Sequence, residues 1–337
     1  MKFVVLLSMM VSSLEVAAAP LKGMGKKVVI LHVPKTGGTS FYADVQTMNK
    51  ERRTMNRSVT SVYKLNDAAH IDMRTFNPAK IMYATFIRHP YHHVLSMFLE
   101  CKYGHWPKGR VPGYKDKDVK QVYSGFEVWV NTFATPDGTF NRCRSDKSVS
   151  GQPGVWTGQP TPDCRDSPER NVDMYDFDCY NPWNMQSRYV AGVNGHHAEQ
   201  TQLVPNVTRA CGILDDYGFV GVTALYQESL CIFQYRVNGI LPEACKCSNH
   251  ETLATTHDAH YTPRHSWDEV SPEVQSRVAK LVQADVKLFA HALKRFEIDL
   301  LEVESSSNTK ILCEPLRLSE LQREAHAILS LNGGRNR

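Results

Sequence analysis

Long hydrophobic runs, a large net charge and internal repeats are all missing from most of this 337-residue chain. After residue 19, no segment reaches the roughly 20 consecutive apolar residues that a membrane-spanning helix needs. The formal net charge is only +4, so the chain as a whole is not a polycation of the kind that binds nucleic acid indiscriminately. No repeated segment is visible, which argues against a repeat architecture.

The nine cysteines lack the paired spacing of a structural zinc site. Cys245-Lys246-Cys247 is a C-x-C motif with no second pair nearby, and no metal site is predicted. Nine cysteines fit an oxidising compartment, where some pair and an odd one remains, although the pairing cannot be read from the sequence. The sequons that begin at Asn56 and Asn206 agree with that compartment.

The first 19 residues have the pattern of a signal peptide. Lys2 precedes an apolar run over residues 3–11, and the segment ends in small residues with a cleavage position near Ala18. A membrane anchor is the weaker alternative, because Glu15 interrupts a run that is already short. The pattern predicts the secretory pathway, with the protein in the Golgi lumen or secreted.

Strands that alternate with helices predict an α/β fold over residues 20–304, with a P-loop-like, mainly parallel central sheet flanked by helices. A long loop-rich insertion, held by disulfides, is predicted over about 104–182. Residues 305–337 are predicted to form a linker at Ser305 to Ser307, a terminal helix over 316–331 and a basic tail. The predicted strands are 27–33, 81–87 and 218–223, and the predicted helices are 39–53, 91–103, 224–237 and one that Ser271 caps and that runs to Phe296.

A Gly-containing loop, Pro34-Lys35-Thr36-Gly37-Gly38-Thr39-Ser40, lies between the first predicted strand and helix. Such a loop directs backbone N–H groups and the positive end of the helix dipole to one point, where phosphate binds. The two glycines leave room for an anion, the hydroxyls add donors and Lys35 adds charge. An ordinary turn would not require this many hydroxyls beside a lysine. In a Walker loop the lysine follows the last glycine, whereas Lys35 precedes both.

Two segments resemble the PAPS-dependent sulfotransferases, in particular the lumenal carbohydrate group that includes heparan sulfate and uronyl 2-O-sulfotransferases. They are HVPKTGGTS over residues 32–40 and FIRHPYHHVLSMF over residues 86–98. The resemblance implies that Lys35, Thr36, Gly37, Gly38, Thr39 and Ser40 cradle the 5′-phosphosulfate of PAPS, with Lys35 at the bridging oxygen. It also implies that Arg88 and Ser96 bind the 3′-phosphate. His89 and His93 stand where the family often has Asp and Arg.

The same resemblance implies the remaining site residues. His70 matches the position of a histidine that acts as general base in 2-O-sulfotransferases, with His32 and His92 as substitutes. Thr256 and Arg264 fall where relatives fold a loop over the nucleotide. Trp183 and Arg188 fall in a segment near the acceptor.

The implied activity is transfer of a sulfuryl group from PAPS, the co-substrate, to a hydroxyl of a glycan or polysaccharide, without a required metal and without a nucleic-acid partner. A basic stretch over residues 108–120 is compatible with an anionic acceptor. Three alternatives stay open: a small-molecule or tyrosine acceptor, a P-loop nucleotide kinase or hydrolase, and a secreted glycan-binding protein without turnover. The sequence leaves the oligomeric state open.

Overall fold

The centre of the fold is a sheet of four parallel strands. The computed structural model describes residues 27–54, 61–65, 77, 80–103, 120–133, 180–192, 205–249 and 265–333. In these residues the strand order is β2-β1-β3-β4, and every neighbouring pair is parallel. The predicted α/β fold with a mainly parallel sheet is confirmed at this level. The strands are β1 Lys27–Ile30, β2 Val62–Lys64, β3 Ile81–Ile87 and β4 Phe219–Val222.

Helices cover the sheet, as the apolar composition of its strands requires. All but the first residue of β3 are buried, and parallel sheets of this kind need cover on both faces. Short 3₁₀ turns lie at Thr223–Leu225, Glu243–Cys245 and Trp267–Glu269. The helices are α1 Gly38–Thr54, α2 Pro90–Tyr103, α3 Lys120–Phe133, α4 Met185–Val190, α5 Val207–Asp216, α6 Tyr226–Asn238, α7 Pro272–Leu281, α8 Gln283–Ser307 and α9 Pro315–Gly333.

Aromatic side chains fasten α1 and α6 to the sheet. The ring of Phe41 on α1 lies 4.9 Å from that of Phe86 and 5.5 Å from that of Phe219, measured between centroids. Phe233 of α6 approaches the same ring edge-on at 4.8 Å. All four side chains are buried. This packing fixes the start of α1 relative to β3 and β4, and with it the loop that joins β1 to α1.

The long helix predicted after Ser271 is divided in two. Ser271 accepts a hydrogen bond from the N–H of Val274 and Pro272 occupies the first turn, so the predicted start is confirmed. At Val282 the backbone leaves the helical region, with φ −116° and ψ 22°, and α8 begins at Gln283. The apolar stripe of the sequence runs through this break, which is why periodicity alone predicted one continuous helix.

Two other predictions differ from the structure. Residues 120–133 form α3, which buries Phe126, Trp129, Val130 and Phe133, so the loop-rich prediction does not hold there. The rest of the predicted insertion, apart from 180–182, lies outside the described residues. Ser305 to Ser307 form the last turn of α8, which ends at Asn308 with φ 48°. The predicted linker is therefore helical. The three serines continue α8, because the residues that precede them in this helix are packed into the core.

Two disulfides crosslink the part of the chain that follows β4. Cys231 is bonded to Cys245, and Cys247 to Cys313, so the two halves of the C-x-C motif have different partners. Cys211 is a free thiol within the described residues. None of the described helices has both the length and the apolar composition to cross a membrane. The predicted signal peptide lies outside the described residues.

Candidate anion-binding site at the carboxyl edge of the sheet

The strand order creates a switch point between β1 and β3. The chain leaves β1 toward β2 on one side of the sheet, and β3 pairs with β1 on the other side. In open parallel sheets, ligands bind in the crevice outside the carboxyl ends of the strands at such a point. The loop at residues 31–37 opens there, and Lys64, Arg88 and Thr223 lie at or just after the ends of β2, β3 and β4.

The loop has the backbone shape of an anion cradle. Lys35 and Gly37 both adopt positive φ, 65° and 94°, and Thr223 Oγ1 donates to the carbonyl of Thr36 at 2.5 Å. The N–H of Phe41 donates to the carbonyl of Gly37 at 2.9 Å as α1 begins. The backbone N–H groups of residues 38–40 precede the first intrahelical donor, the N–H of Phe41, so they are available to a ligand at the helix start.

Close packing under the loop requires glycine at position 38. A Cβ placed on Gly38 would lie 2.5 Å from Cδ2 of His32, which is closer than carbon atoms pack. The His32 ring cannot turn away freely, because its Nε2 lies 3.2 Å from Oγ1 of Thr39. The imidazole therefore lies directly against the first turn of α1. Of the two substitute histidines, His32 is the one at the loop, while His92 is exposed on α2.

Two lysine side chains lie at the loop, one from the loop itself and one from the end of β2. Nζ of Lys35 lies 2.7 Å from Oε2 of Glu100, with 11% and 9% of the two side chains exposed. Nζ of Lys64, at the end of β2, lies 3.5 Å from Oγ1 of Thr39. Sequence reasoning missed Lys64 because a three-residue strand gives almost no alternation signal. Glu100 was missed because its partner lies 65 residues earlier.

Arg88 joins the loop to the end of β3. Its Nη1 donates to the carbonyl of Lys35 at 3.0 Å. Burial lowers the pKa of Arg88 to about 10, which still leaves the guanidinium charged at neutral pH. The N–H and carbonyl of Arg88 both bond to the side chain of Gln186, at 2.9 and 3.0 Å. Both the backbone and the guanidinium of Arg88 are thereby held.

One face of α2 lies against the loop. His93 Nε2 is 2.8 Å from the carbonyl of Pro34, and Glu100 bonds to Lys35. Burial, with smaller contributions from Arg88 and Lys35, lowers the pKa of His93 to about 3, so the ring is neutral and donates to Pro34. Ser96 lies three residues after His93 and four before Glu100, hence on the same helical face. The structure thus brings Lys35, Arg88 and Ser96 to one region.

The two acceptor candidates are buried. Arg188 is 1% exposed, and its guanidinium donates to the carbonyls of Trp183 and Asn181 at 2.8 and 2.9 Å. Trp183 is 9% exposed. These contacts give Arg188 a role in holding the segment before α4. His70, Thr256, Arg264 and the basic stretch over 108–120, apart from its last residue, lie outside the described residues.

A comparison with models of known protein families finds no match to this chain, and a comparison with curated proteins finds none either. Within the part of the chain that the structure describes, no group of three or more His, Cys, Asp or Glu side chains is placed to hold a metal ion. The chemistry of the site therefore rests on its own geometry: helix-start amides, hydroxyls and three cations at one edge of the sheet. Such a set has the chemistry to bind a phosphate-like or sulfate-like anion.

Proposed function

We propose that this chain is a sulfotransferase that moves a sulfuryl group from PAPS to a hydroxyl of a glycan or polysaccharide. The observation that carries the proposal is the link between Lys35 and Arg88. These two residues follow adjacent parallel strands, and Nη1 of Arg88 donates to the backbone carbonyl of Lys35 at 3.0 Å at the switch point of the sheet. Two separate cationic positions suit a nucleotide that is anionic at two separate places.

The charge pattern of PAPS supports the assignment of the two positions. Its 5′-phosphosulfate suits the start of α1, which offers the amides of residues 38–40 and the hydroxyls of Thr39 and Ser40, with Lys35 in the loop just before it. Its 3′-phosphate suits Arg88, whose planar guanidinium offers paired donors to phosphate oxygens. The hydroxyl of Ser96 is the second candidate donor to that phosphate.

The ion pair of Lys35 is compatible with a catalytic role. An ammonium group carries three donors, so Lys35 can keep its bond to Glu100 while it donates to an oxygen of the donor. Negative charge develops on the bridging oxygen as the bond to sulfur breaks, and a fixed cation there stabilises the transition state. Glu100 restricts the Lys35 side chain to the region of the loop.

The proposed reaction is a single in-line displacement. The acceptor hydroxyl oxygen forms a bond to sulfur, the bond from sulfur to the 5′-phosphate oxygen breaks, and adenosine 3′,5′-bisphosphate leaves. The hydroxyl proton passes to a general base, which the resemblance assigns to His70. As in phosphoryl transfer, positioning and charge stabilisation supply most of the catalysis.

The compartment and acceptor belong to the same proposal. Two disulfides within the described residues support an oxidising compartment, which agrees with the predicted secretory pathway and the Golgi lumen. The basic stretch over residues 108–120 supports an anionic polysaccharide as acceptor. PAPS is proposed as co-substrate without a metal.

A thermal-shift experiment tests the donor assignment. Adenosine 3′,5′-bisphosphate at about 100 times its Kd, with EDTA present, should stabilise the wild type by about 2.7 kcal/mol, whereas ATP with magnesium should not. Lys35→Ala and Arg88→Ala should reduce the shift, and Lys287→Ala, at an exposed lysine on α8, should not. Stabilisation by magnesium ATP alone would replace the proposal with a nucleotide kinase or hydrolase.

A further inference from the structure

A buried glutamine holds the backbone of Arg88. Gln186 is fully buried, and its carboxamide makes two hydrogen bonds to one residue. The Arg88 N–H donates to Oε1 at 2.9 Å, and Nε2 donates to the Arg88 carbonyl at 3.0 Å. The side chain thus pairs with the chain just past β3 as a neighbouring strand would. A buried carboxamide whose oxygen and nitrogen are both hydrogen-bonded in this way has one fixed orientation.

Gln186 is itself held by Asp285 in the first turn of α8. The buried carboxylate of Asp285 accepts from the N–H of Ser187 at 2.7 Å and from the N–H of Gln186 at 3.2 Å. A third hydrogen bond has its donor on α8 and its acceptor just before α4: the N–H of Ala284 donates to Oδ1 of Asn184 at 2.8 Å. The start of α4 and the start of α8 therefore cap each other.

These contacts form a continuous path from α8 to the loop. Asp285 holds the backbone of Gln186, Gln186 holds the backbone of Arg88, and Nη1 of Arg88 bonds to the carbonyl of Lys35. Fixing the backbone of Arg88 removes part of the motion that ligand binding would otherwise have to restrict.

We infer that Gln186, held by Asp285, is a positioning residue that directs Arg88 toward the 3′-phosphate of the donor. The inference rests on the proposed function, which places that phosphate at Arg88. Gln186 touches no part of the nucleotide in this account and acts only through Arg88. If the role of Gln186 were merely structural, its substitution would weaken the binding of any nucleotide to the same degree, or would change only the stability of the protein.

Two nucleotides that differ only in the 3′-phosphate separate these possibilities. Calorimetric titration of the wild type with adenosine 3′,5′-bisphosphate and with adenosine 5′-monophosphate gives the contribution of the 3′-phosphate as a ratio of affinities. In Gln186→Met, which keeps the side-chain length and removes both hydrogen bonds, that ratio should fall about tenfold, with the monophosphate affinity unchanged within about twofold. The matched control is Gln234→Met, which removes a buried amide on α6 and should leave the ratio unchanged.

A double-mutant cycle with Arg88→Ala tests whether Gln186 acts through Arg88. The ratio in the double variant should equal that in Arg88→Ala alone. If Gln186→Met does not fold, Asp285→Asn keeps the glutamine and should lower the ratio about threefold through the same path.

The outcomes distinguish the inference from the function on which it rests. A wild type that binds both nucleotides equally overturns the proposed donor site and the inference with it. A wild type that prefers the bisphosphate, together with a Gln186→Met variant that loses equal affinity for both, overturns the inference alone. Additive losses in the double variant would also overturn it.

Discussion

The ammonium group of Lys35 lies 2.7 Å from the carboxylate of Glu100, which reaches it from α2. Lys35 also has positive φ, 65°, a conformation that is uncommon outside glycine. This backbone conformation directs the Lys35 side chain away from the line of β1, and its ammonium group contacts Glu100 on α2. The principal cation of the proposed site is fixed at both ends, by the loop and by the helix.

Glu100→Gln should separate stability from anion affinity. The substitution removes the negative charge of Glu100 from beside a largely buried ammonium, so the free energy of unfolding should fall by about 2 kcal/mol. The positive potential at the loop rises at the same time, so the affinity for adenosine 3′,5′-bisphosphate should hold or increase. Urea unfolding and calorimetric titration measure the two effects. Weaker nucleotide binding at unchanged stability would contradict this account of the pair.

Gly38→Ala should damage the start of α1. The added methyl would lie 2.5 Å from Cδ2 of His32, and the ring is held by Thr39, so the helix start must shift. We expect a loss of about 1 to 3 kcal/mol in stability and a clear loss of nucleotide affinity. Gly212→Ala is the matched control, because a Cβ there meets nothing within 4 Å. It should stabilise α5 by about 1 kcal/mol.

His93 should make the protein less stable as the pH falls. Burial lowers its pKa to about 3, whereas the unfolded chain takes up a proton near the ordinary value of about 6.5. Between these values the unfolded state binds more protons, so the free energy of unfolding falls as the pH falls. His93 alone should contribute a loss of about 2 kcal/mol between pH 7 and pH 5.

The comparison variant is His93→Gln, which does not titrate and can still donate to Pro34. Urea unfolding at pH 7 and pH 5 should show the wild type losing about 2 kcal/mol more than this variant. Parallel losses in the two proteins would mean that His93 is not buried in its neutral form.

Removing the disulfide between Cys247 and Cys313 should lower stability and spare the anion site. The bond spans 66 residues, and the entropy of a loop of that length corresponds to about 4 kcal/mol. Cys247→Ser with Cys313→Ser should therefore lower the Tm by about 6 °C. Cys211→Ser, at the free thiol, is the control and should leave the Tm nearly unchanged. A large loss of nucleotide affinity in the double variant would contradict a site confined to the carboxyl edge of the sheet.

Local signals in the sequence located much of the fold. The β-branched run before Pro34, the glycines after it and the Ser271-Pro272 pair all mark element ends through their own backbone chemistry. These signals predicted where α7 starts and, to within one residue, where α1 begins, whereas β1 ends at Ile30, three residues before its predicted end. They also predicted the loop as an anion site, because glycine, lysine and hydroxyls lie within a few consecutive residues.

Contacts between distant residues were not visible in the same way. Glu100 and Gln186 bond to residues 65 and 98 positions away, and nothing in their own surroundings marks them. Lys64 follows a strand too short to show a period. The break at Val282 does not interrupt the apolar stripe, because the apolar residues of α7 before it and of α8 after it are both buried. Tertiary packing decides each of these features.

Transfer of labelled sulfate from PAPS by the purified protein tests the central claim most directly. The acceptors should be desulfated polysaccharides, with phenols and small alcohols as alternatives. Label should appear in a polysaccharide product with the wild type and with Lys287→Ala, and none should appear with a folded Lys35→Ala. Arg88→Ala should raise the PAPS concentration that transfer needs, and His70→Ala should lower turnover at nearly unchanged PAPS affinity. A folded wild type that transfers no label to any acceptor, or a Lys35→Ala variant that transfers it normally, would contradict the account.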